Sequence, residues 1–140
     1  MKILVYDDNI DDIKQLENCI TNFFNKINEE YKIAYCQTQK ELFSLINSYD
    51  LLFLDIELSD ENGIDIGLKL RKMKTDCLVI ITTHYMKYAI DGYKIDAERY
   101  FIKPIVQSEF DIEMTHIMHK YYNNHYPLIQ QLLPLKVNKI

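Results

Sequence analysis

The sequence predicts an α/β protein with a five-stranded parallel sheet, doubly wound so that helices cover both faces. Short apolar runs, each too short for a helix, alternate along the chain with segments whose apolar residues recur every three or four positions. Most of these runs end on a charged or hydroxyl residue, and a length of 140 residues suits one domain. With right-handed crossovers, we expect the strand order 2-1-3-4-5.

Five strands are predicted from runs that are apolar or rich in β-branched residues and are bounded by polar residues. The third run is the central one, because its apolar residues are consecutive and it ends on a single carboxylate, Asp55. The second run alternates apolar and polar residues, which indicates a more exposed strand. The predicted strands cover residues 3–6, 31–36, 51–55, 78–83 and 99–102.

Five helices are predicted from the helical spacing of apolar residues. Asn9 is expected to cap the first helix, Thr38 the second as part of a capping box, and Ser108 the last. Gly63 follows an asparagine in a polar loop and is expected to supply a positive φ before the third helix. The predicted helices cover residues 10–27, 39–49, 64–73, 85–93 and 108 to about 122.

Composition argues against several classes of function. The net charge of −5 disfavours nucleic-acid binding by this domain, since phosphate contacts need a basic surface. No apolar run is long enough to span a bilayer and the amino terminus lacks the apolar core of a signal peptide, so we expect a cytoplasmic protein without membrane association. Cys19, Cys36 and Cys77 have no metal or disulfide spacing, which is typical of buried apolar residues.

Functional side chains lie where four of the predicted strands end. Because the carboxyl ends of parallel strands meet at one edge of a sheet, these side chains are expected to be neighbours. Three carboxylates so close would repel one another, so either one is protonated or a divalent cation is present, and an oxygen-only ligand set points to Mg²⁺. The side chains are Asp7 and Asp8 after the first strand, Asp55 on the third, Thr82 and Thr83 on the fourth, and Lys103 after the fifth.

Such a set of groups is suited to holding and moving a phosphoryl group. A carboxylate such as Asp55 is normally ionised at neutral pH and could attack phosphorus to give an aspartyl phosphate, while Lys103 would balance the charge of the transferred group. Gly63, Gly67 and Gly92 form no nucleotide-binding loop, so the phosphoryl group is expected from a separate donor.

Four motifs make the chain similar to the receiver domain of two-component response regulators over residues 1–122. They are residues 4–8 (LVYDD), 54–58 (LDIEL) with Gly63 eight positions after Asp55, 81–83 (ITT) and 100–104 (YFIKP). The resemblance implies a flavodoxin-like (βα)5 fold with the strand order given above, so that order is not an independent prediction. Residues 123–140 are then an extension, or a linker toward a possible DNA-binding domain absent from this chain.

The resemblance implies roles for the matched residues. Asp55 is implied as the phosphoacceptor, with a sensor histidine kinase as the donor. Lys103 matches the lysine of the family pattern, and its bond to Pro104 is implied to be cis. The implied Mg²⁺ ligands are Asp7, Asp8, Asp55 and the main-chain carbonyl of Glu57.

Members of the family switch state through a hydroxyl and an aromatic residue. Thr83 matches the hydroxyl best because its distance to Tyr88 and Ala89 fits, and Thr82 is the alternative if the register differs by one. Tyr100 matches the aromatic. In the family mechanism the hydroxyl moves to the phosphate and the aromatic turns inward. These movements alter the face formed by the fourth helix, fifth strand and fifth helix, through which a homodimer is possible.

Residues 88–100 resemble, more narrowly, receivers that precede a LytTR-type DNA-binding domain, which implies regulation of transcription. Two residues depart from the family pattern. Ser59 stands where proline is usual, and His84 follows the switch hydroxyl where a small residue is typical. A bulky His84 is expected to slow the access of water or small donors to the phosphate.

Other interpretations stay open from the sequence. Asp7 and Asp8 would also serve as helix caps, Tyr100 as a core aromatic and Lys103 as a surface charge. An Asp-nucleophile phosphohydrolase would use the same strand-end carboxylate, but it generally has a second aspartate where this chain has Glu57. A stand-alone receiver, or a pseudo-receiver that binds partners without phosphorylation, is the remaining alternative.

Overall fold

The computed structural model describes residues 1–57, 62–85 and 95–125. These residues form five strands, four α-helices and one turn of 3-10 helix. The strands are β1 (Lys2–Tyr6), β2 (Lys32–Cys36), β3 (Leu51–Asp55), β4 (Leu78–Thr83) and β5 (Arg99–Ile102). The helices are α1 (Ile10–Lys26), α2 (Gln39–Leu45), which continues into the 3-10 turn Ile46–Ser48, α3 (Gly63–Met73) and α4 (Gln107–His125).

All five strands are parallel and their order is β2-β1-β3-β4-β5, which confirms the predicted topology. β3 lies at the centre, and each of its residues is buried. The edge strand β2 is the more exposed strand that its alternating sequence predicted. The register sets Asp55 of β3 beside Thr82 of β4, so the carboxyl ends of the central strands lie level with one another.

Each face of the sheet has its own apolar core, because side chains alternate between faces along a strand. Helices α1 and α4 cover one face, where Phe23 and Phe53 both lie within about 6 Å of Phe110, measured between ring centroids. Helices α2 and α3 cover the other face, where Leu42 and Ile66 pack with Leu52 and Leu54. The result is the three-layer arrangement expected of a doubly wound fold.

Three residues were predicted to cap helices, and two of them do so in the structure. The Asn9 side chain accepts a hydrogen bond from the Asp12 amide at 3.0 Å, and Thr38 accepts one from the Glu41 amide at 3.1 Å, so both predicted caps are confirmed. The prediction for Ser108 is wrong. α4 already begins at Gln107, and the first bond of its ladder is accepted by the Val106 carbonyl at 2.9 Å. α4 also runs to His125, three residues beyond the predicted end.

The prediction of a positive φ at Gly63 is also wrong, since Gly63 is the first residue of α3 and no described glycine has a positive φ. Space is the physical reason for glycine here. A Cβ atom on Gly63 would lie 2.4 Å from the Ile56 Cα and 2.6 Å from the Asp55 carbonyl oxygen. Glycine therefore lets the start of α3 approach the backbone of the predicted site.

Several predictions lie outside the described residues. They concern the fourth predicted helix beyond Tyr85, the departure at Ser59, the spacing to Tyr88 and Ala89, and residues 126–140. Among residues 1–57, 62–85 and 95–125, no helix combines the length and apolar character that a membrane span requires.

Candidate functional site at the carboxyl edge of the sheet

Three carboxylates meet at the carboxyl edge of the sheet. Oxygen atoms of Asp7, Asp8 and Asp55 all lie within 4.8 Å of one another. Asp7 follows β1 and Asp55 ends β3, and these strands are neighbours, so the topology itself brings the two acids together. Asp55 is only 2% exposed, whereas Asp8 is open to solvent. The amide of Asn9 donates to Asp7 at 2.9 Å, which holds that carboxylate in place.

Lys103 enters this cluster from the end of β5. Its Nζ lies 2.8 Å from Asp7 Oδ2 and 3.4 Å from Asp55 Oδ1, and its side chain is 4% exposed. The backbone is fixed as well, since the Lys103 amide donates to the Thr83 carbonyl at 2.7 Å. The peptide bond to Pro104 is cis, which confirms the prediction. The convergence of acids and amine expected from the strand ends is therefore present.

Asp12 is a fourth acid in this cluster, and the sequence reading missed it. Its Oδ2 lies 3.0 Å from the Lys103 Nζ, and its Oδ1 lies 3.5 Å from Nε2 of His84. Asp12 lies in the first turn of α1, whereas Asp8 precedes the N-cap Asn9 and lies outside the helix. Helical spacing therefore gives no signal that joins the two acids, and acids in a first turn are expected from the helix dipole alone.

Burial and neighbouring charges act in opposite senses on Asp55. Burial raises its pKa, hydrogen bonding from the Glu57 amide and the charge of Lys103 lower it, and Asp7 and Glu57 raise it again, for a net pKa of about 6. Asp55 is then mostly ionised at neutral pH. Burial lowers the pKa of Lys103, but hydrogen bonding and the charges of its carboxylate partners outweigh this effect and raise it, so the amine stays protonated.

The side chain of Glu57 links the end of β3 to the end of β4. Its carboxylate accepts hydrogen bonds from the Thr83 hydroxyl and the His84 amide, and lies 3.1 Å from Nδ1 of His84. Burial raises the pKa of Glu57, yet these hydrogen bonds outweigh it and lower the pKa overall. Since His84 also contacts Asp12, its ring forms a bridge from the loop after β3 to α1, beside the acid cluster.

The predicted switch hydroxyl is buried, whereas the predicted switch aromatic is exposed. Thr82 and Thr83 are both buried at the end of β4, and the Thr83 hydroxyl also accepts from the Tyr85 amide at 3.1 Å. Tyr100 lies on the edge strand β5 and is 47% exposed, so its ring is not part of the core. Its interpretation as an ordinary core aromatic is therefore wrong.

The donor set fits a small divalent cation. Asp7, Asp8 and Asp55 supply only oxygen, the ligand type that Mg²⁺ prefers over the nitrogen and sulfur ligands of zinc. Burial is the largest cause of the raised pKa of Asp55, and the charges of Asp7 and Glu57 raise it further. A cation bound beside the three carboxylates would favour their ionised forms.

Comparison with known proteins identifies the family. The family model for the response regulator receiver domain matches residues 3–114. The chain is 36% identical over 113 residues to the transcriptional regulatory protein LytR of Staphylococcus aureus, covering 79% of this chain and 44% of that protein. It is 34% identical over 127 residues to the sensory transduction protein LytR of Staphylococcus haemolyticus, covering 89% and 48%. The chain thus spans less than half the length of these relatives.

Solved structures agree on the fold. The response regulatory domain of mrkE from Klebsiella pneumoniae superposes with a TM-score of 0.74 at 15% identity, covering 88% of this chain and 99% of that chain. The receiver domain of the TMAO respiratory response regulator TorR superposes with a TM-score of 0.70 at 23% identity, covering 86% and 98%. With the family match, the LytR relatives and the convergent strand ends, this chain belongs to the response regulator receiver domain family.

Proposed function

We propose that this receiver domain accepts a phosphoryl group on Asp55 from a sensor histidine kinase. The observation that carries the proposal is the position of the Lys103 Nζ between Asp7 and Asp55, with Asp8 completing the acid cluster. A buried amine beside an ionised carboxylate provides both a nucleophile and a neutralising charge. These are the two things that phosphoryl transfer requires of a protein.

In the proposed step, a carboxylate oxygen of Asp55 forms a bond to phosphorus as the phosphorus–nitrogen bond of the kinase phosphohistidine breaks. The leaving imidazole nitrogen keeps the electron pair of that bond and the ring takes one proton from solvent, so the kinase histidine leaves as neutral imidazole. Lys103 lies within 3.4 Å of the Asp55 oxygen and offsets the charge that gathers on the phosphoryl oxygens. Because the pKa of Asp55 is about 6, the nucleophile is in its reactive form at neutral pH.

The proposed metal is Mg²⁺. Asp7, Asp8 and Asp55, with the main-chain carbonyl of Glu57, would hold it. When bound, Mg²⁺ supplies charge neutralisation for the incoming phosphoryl oxygens. Lys103 contacts the carboxylates of Asp7, Asp12 and Asp55, so we expect metal binding and Lys103 to contribute to the same charge balance.

Output is proposed to follow the family pattern. Thr83, with Thr82 as the alternative, would move to the phosphate, and Tyr100 would turn inward from its exposed position. Val106 lies on the segment after β5, and Ile112 lies on α4, which is the fifth predicted helix. Both are exposed apolar residues of the region through which a homodimer would form.

Given the LytR relatives, we infer that receiver residues 1–122 act in the cytoplasm and regulate transcription through a LytTR-type DNA-binding domain linked through residues 123–140.

The two alternatives are weaker. A phosphohydrolase needs a proton donor two residues after the nucleophile, but the Glu57 carboxylate is occupied by Thr83 and His84 and its pKa is lowered. Such a group donates a proton poorly near neutral pH. A pseudo-receiver would have no use for an ionised Asp55 beside a buried lysine, an arrangement that costs desolvation of both charges.

Incubation with acetyl phosphate and Mg²⁺, followed by intact-mass measurement, tests the proposal. We expect one phosphoryl group per chain, lost in Asp55→Asn and retained in the control Asp11→Asn, an exposed acid in the first turn of α1. Chelation of Mg²⁺ should abolish labelling. Release of many phosphates per chain would favour a phosphohydrolase, and the absence of labelling in the parent protein would favour a pseudo-receiver.

A further inference from the structure

Gln15 makes an unusual pair of contacts with the segment that follows β5. Its Oε1 accepts a hydrogen bond from the Ile105 amide at 3.0 Å, and its Nε2 donates to the Ile105 carbonyl oxygen at 2.5 Å. One side-chain amide thus binds both backbone groups of a residue 90 positions away. The Ile105 side chain lies in the core beneath α1 and α4, so both ends of this contact are fixed to the fold.

Ile105 is the second residue after Lys103. The Lys103 ammonium must lie within contact distance of Asp7, Asp12 and Asp55 at once, so a small displacement of its backbone would break at least one of these contacts. On one side, the Thr83 carbonyl holds the Lys103 amide. On the other side, Gln15 holds the backbone of Ile105. The backbone around Lys103 is therefore held by hydrogen bonds at Lys103 itself and at Ile105.

The contact belongs to a row of polar contacts along α1, four made by side chains and one by a main-chain carbonyl. Asp12, one turn before Gln15, contacts Lys103 directly, and the Cys19 carbonyl, one turn after it, accepts from Gln107 at 3.1 Å. Further along, Asn22 donates to Gln107 and Lys26 pairs with Asp111. The spacing of three and four residues puts the whole row on one side of α1. Within this row, Gln15 is the member that fixes the backbone next to Lys103.

We propose that Gln15 is a positioning residue for Lys103, acting through the backbone of Ile105. Without the Gln15 amide, the Ile105 amide loses the partner given above and the Ile105 carbonyl keeps only a weak contact from the Cys19 thiol at 4.0 Å, so we expect the segment to shift toward water. Lys103 shifts with it. The part of this inference that concerns phosphorylation rate rests on the proposed function, whereas the part that concerns the position of the ammonium does not.

Gln15→Met is the central variant, because methionine keeps the length and helix propensity of glutamine and removes both hydrogen bonds. Gln15→Glu keeps the acceptor for the Ile105 amide but sets a carboxylate against the Ile105 carbonyl. Asn22→Met is the matched control, since Asn22 lies on the same helix and row but contacts Gln107 rather than the segment of Lys103.

The first readout is the ammonium resonance of Lys103 in isotope-labelled protein without Mg²⁺, assigned by its loss in Lys103→Met. We expect the resonance to shift or broaden in Gln15→Met, less so in Gln15→Glu, and to stay unchanged in Asn22→Met. An unchanged resonance in Gln15→Met, or an equal change in Asn22→Met, would overturn the proposal. This readout holds whether or not Asp55 accepts a phosphoryl group.

The second readout is the rate of Asp55 labelling by acetyl phosphate in a double-mutant cycle with Lys103→Met. Misplacing a charged group that contacts the reacting atoms is expected to slow labelling by about ten-fold in Gln15→Met. In the Lys103→Met background, Gln15→Met should cause no further slowing, although its effect on the melting temperature should persist. Equal slowing in both backgrounds would mean a merely structural role. A parent protein that takes no label would contradict the proposed function and leave the ammonium resonance to decide the role of Gln15.

Discussion

Two sets of side chains that matter to the proposed mechanism differ in their exposure to water. The pocket floor, formed by Asp7, Asp55 and Lys103, is almost fully enclosed, and the side chains of Lys103 and Asp7 are 4% and 2% exposed. The outer side chains belong to Tyr100, Val106 and Ile112, which are 47%, 51% and 59% exposed as whole residues. Charges are buried where the chemistry is proposed, and apolar groups are exposed where the output is proposed. Both placements oppose the ordinary tendency of these residue types.

The contrast indicates where substitutions should change the free energy of unfolding most. Buried charges interact strongly, so replacement in the pocket floor should change stability by several kcal/mol. Replacing an exposed apolar residue changes the free energy of unfolding little, so variants there should alter output and leave the fold intact.

Lys103→Met should cause the largest loss of stability. It removes the cation that lies among Asp7, Asp12 and Asp55, and breaking a buried ion pair from one side costs about 3–5 kcal/mol. Urea unfolding at neutral pH without Mg²⁺ measures this loss. The loss should shrink below pH 6, because Asp55, whose pKa is about 6, is then protonated. A loss below about 1 kcal/mol, the range of an exposed pair, would contradict the enclosure of the pocket floor.

Asp55→Asn should change stability in the opposite direction. Its pKa is raised from 3.8 to about 6, so the folded state binds a proton more tightly than the unfolded state between these values. Parent stability therefore falls as pH rises from about 4 to 6, and above that range the ionised carboxylate is a cost. At neutral pH without Mg²⁺, we expect Asp55→Asn to be about 1–3 kcal/mol more stable than the parent. The difference should nearly vanish at about pH 4, and a difference independent of pH would contradict this account.

Gly63→Ala tests the close approach of α3 to the pocket floor. The added Cβ would meet backbone atoms of Ile56 and Asp55, which cannot rotate away, so we expect a loss of about 1–3 kcal/mol. Gly67→Ala is the comparison variant, because its three nearest contacts would be Cδ1, Cγ2 and Cβ of the buried Ile95, at 2.6, 2.8 and 3.0 Å, rather than backbone atoms. We expect a loss there too, but a smaller one, and chemical unfolding of both variants makes the comparison. Equal losses would mean that crowding against a side chain costs as much as crowding against the backbone beside the site.

His84→Ala should have a modest effect on kinetics. The His84 ring bridges Glu57 and Asp12, and its side chain is partly exposed, so each contact is worth about 0.2–1 kcal/mol. Removing the bridge should speed loss of the phosphoryl group by about two- to five-fold. Intact-mass measurement of labelled protein over time gives the rate. His84→Gln keeps a polar side chain of similar length, so its rate of phosphoryl loss should lie between those of the parent and His84→Ala. Slower loss in His84→Ala than in the parent would contradict a shielding role.

Most of the fold could be predicted because its signals are local. Four consecutive apolar residues before Asp55 indicate a strand buried on both faces, and Asn9 and Thr38 cap helices through hydrogen bonds within three residues. Gly63 shows where local reasoning failed. An asparagine followed by glycine is typical of a tight turn, but here glycine is required by contact with β3, which no local pattern encodes.

The site was predicted only as far as residue type and strand position define it. Asp7, Asp8, Asp55 and Lys103 end strands, so topology alone brings them together. Asp12 was missed because an acid in a first helical turn already has an ordinary explanation. Gln15 was missed for a different reason. Its partners are backbone atoms of Ile105, and a backbone partner leaves no signal in residue type.

Tyr100→Ala should have the smallest effect on the fold and thus isolates the outer side chains from the pocket floor. With about half of its surface exposed on an edge strand, Tyr100 contributes little packing, so we expect a change within about 0.5 kcal/mol. Labelling of Asp55 by acetyl phosphate should keep the parental rate, because the ring contributes no atom to the acid cluster. Any phosphorylation-dependent self-association, measured by sedimentation before and after labelling, should weaken. Phe at the same position, which keeps the ring, should preserve it. If Tyr100→Ala instead slowed labelling as much as Lys103→Met, the outer side chains and the pocket floor would be one functional unit, and the distinction drawn from their exposure would be wrong.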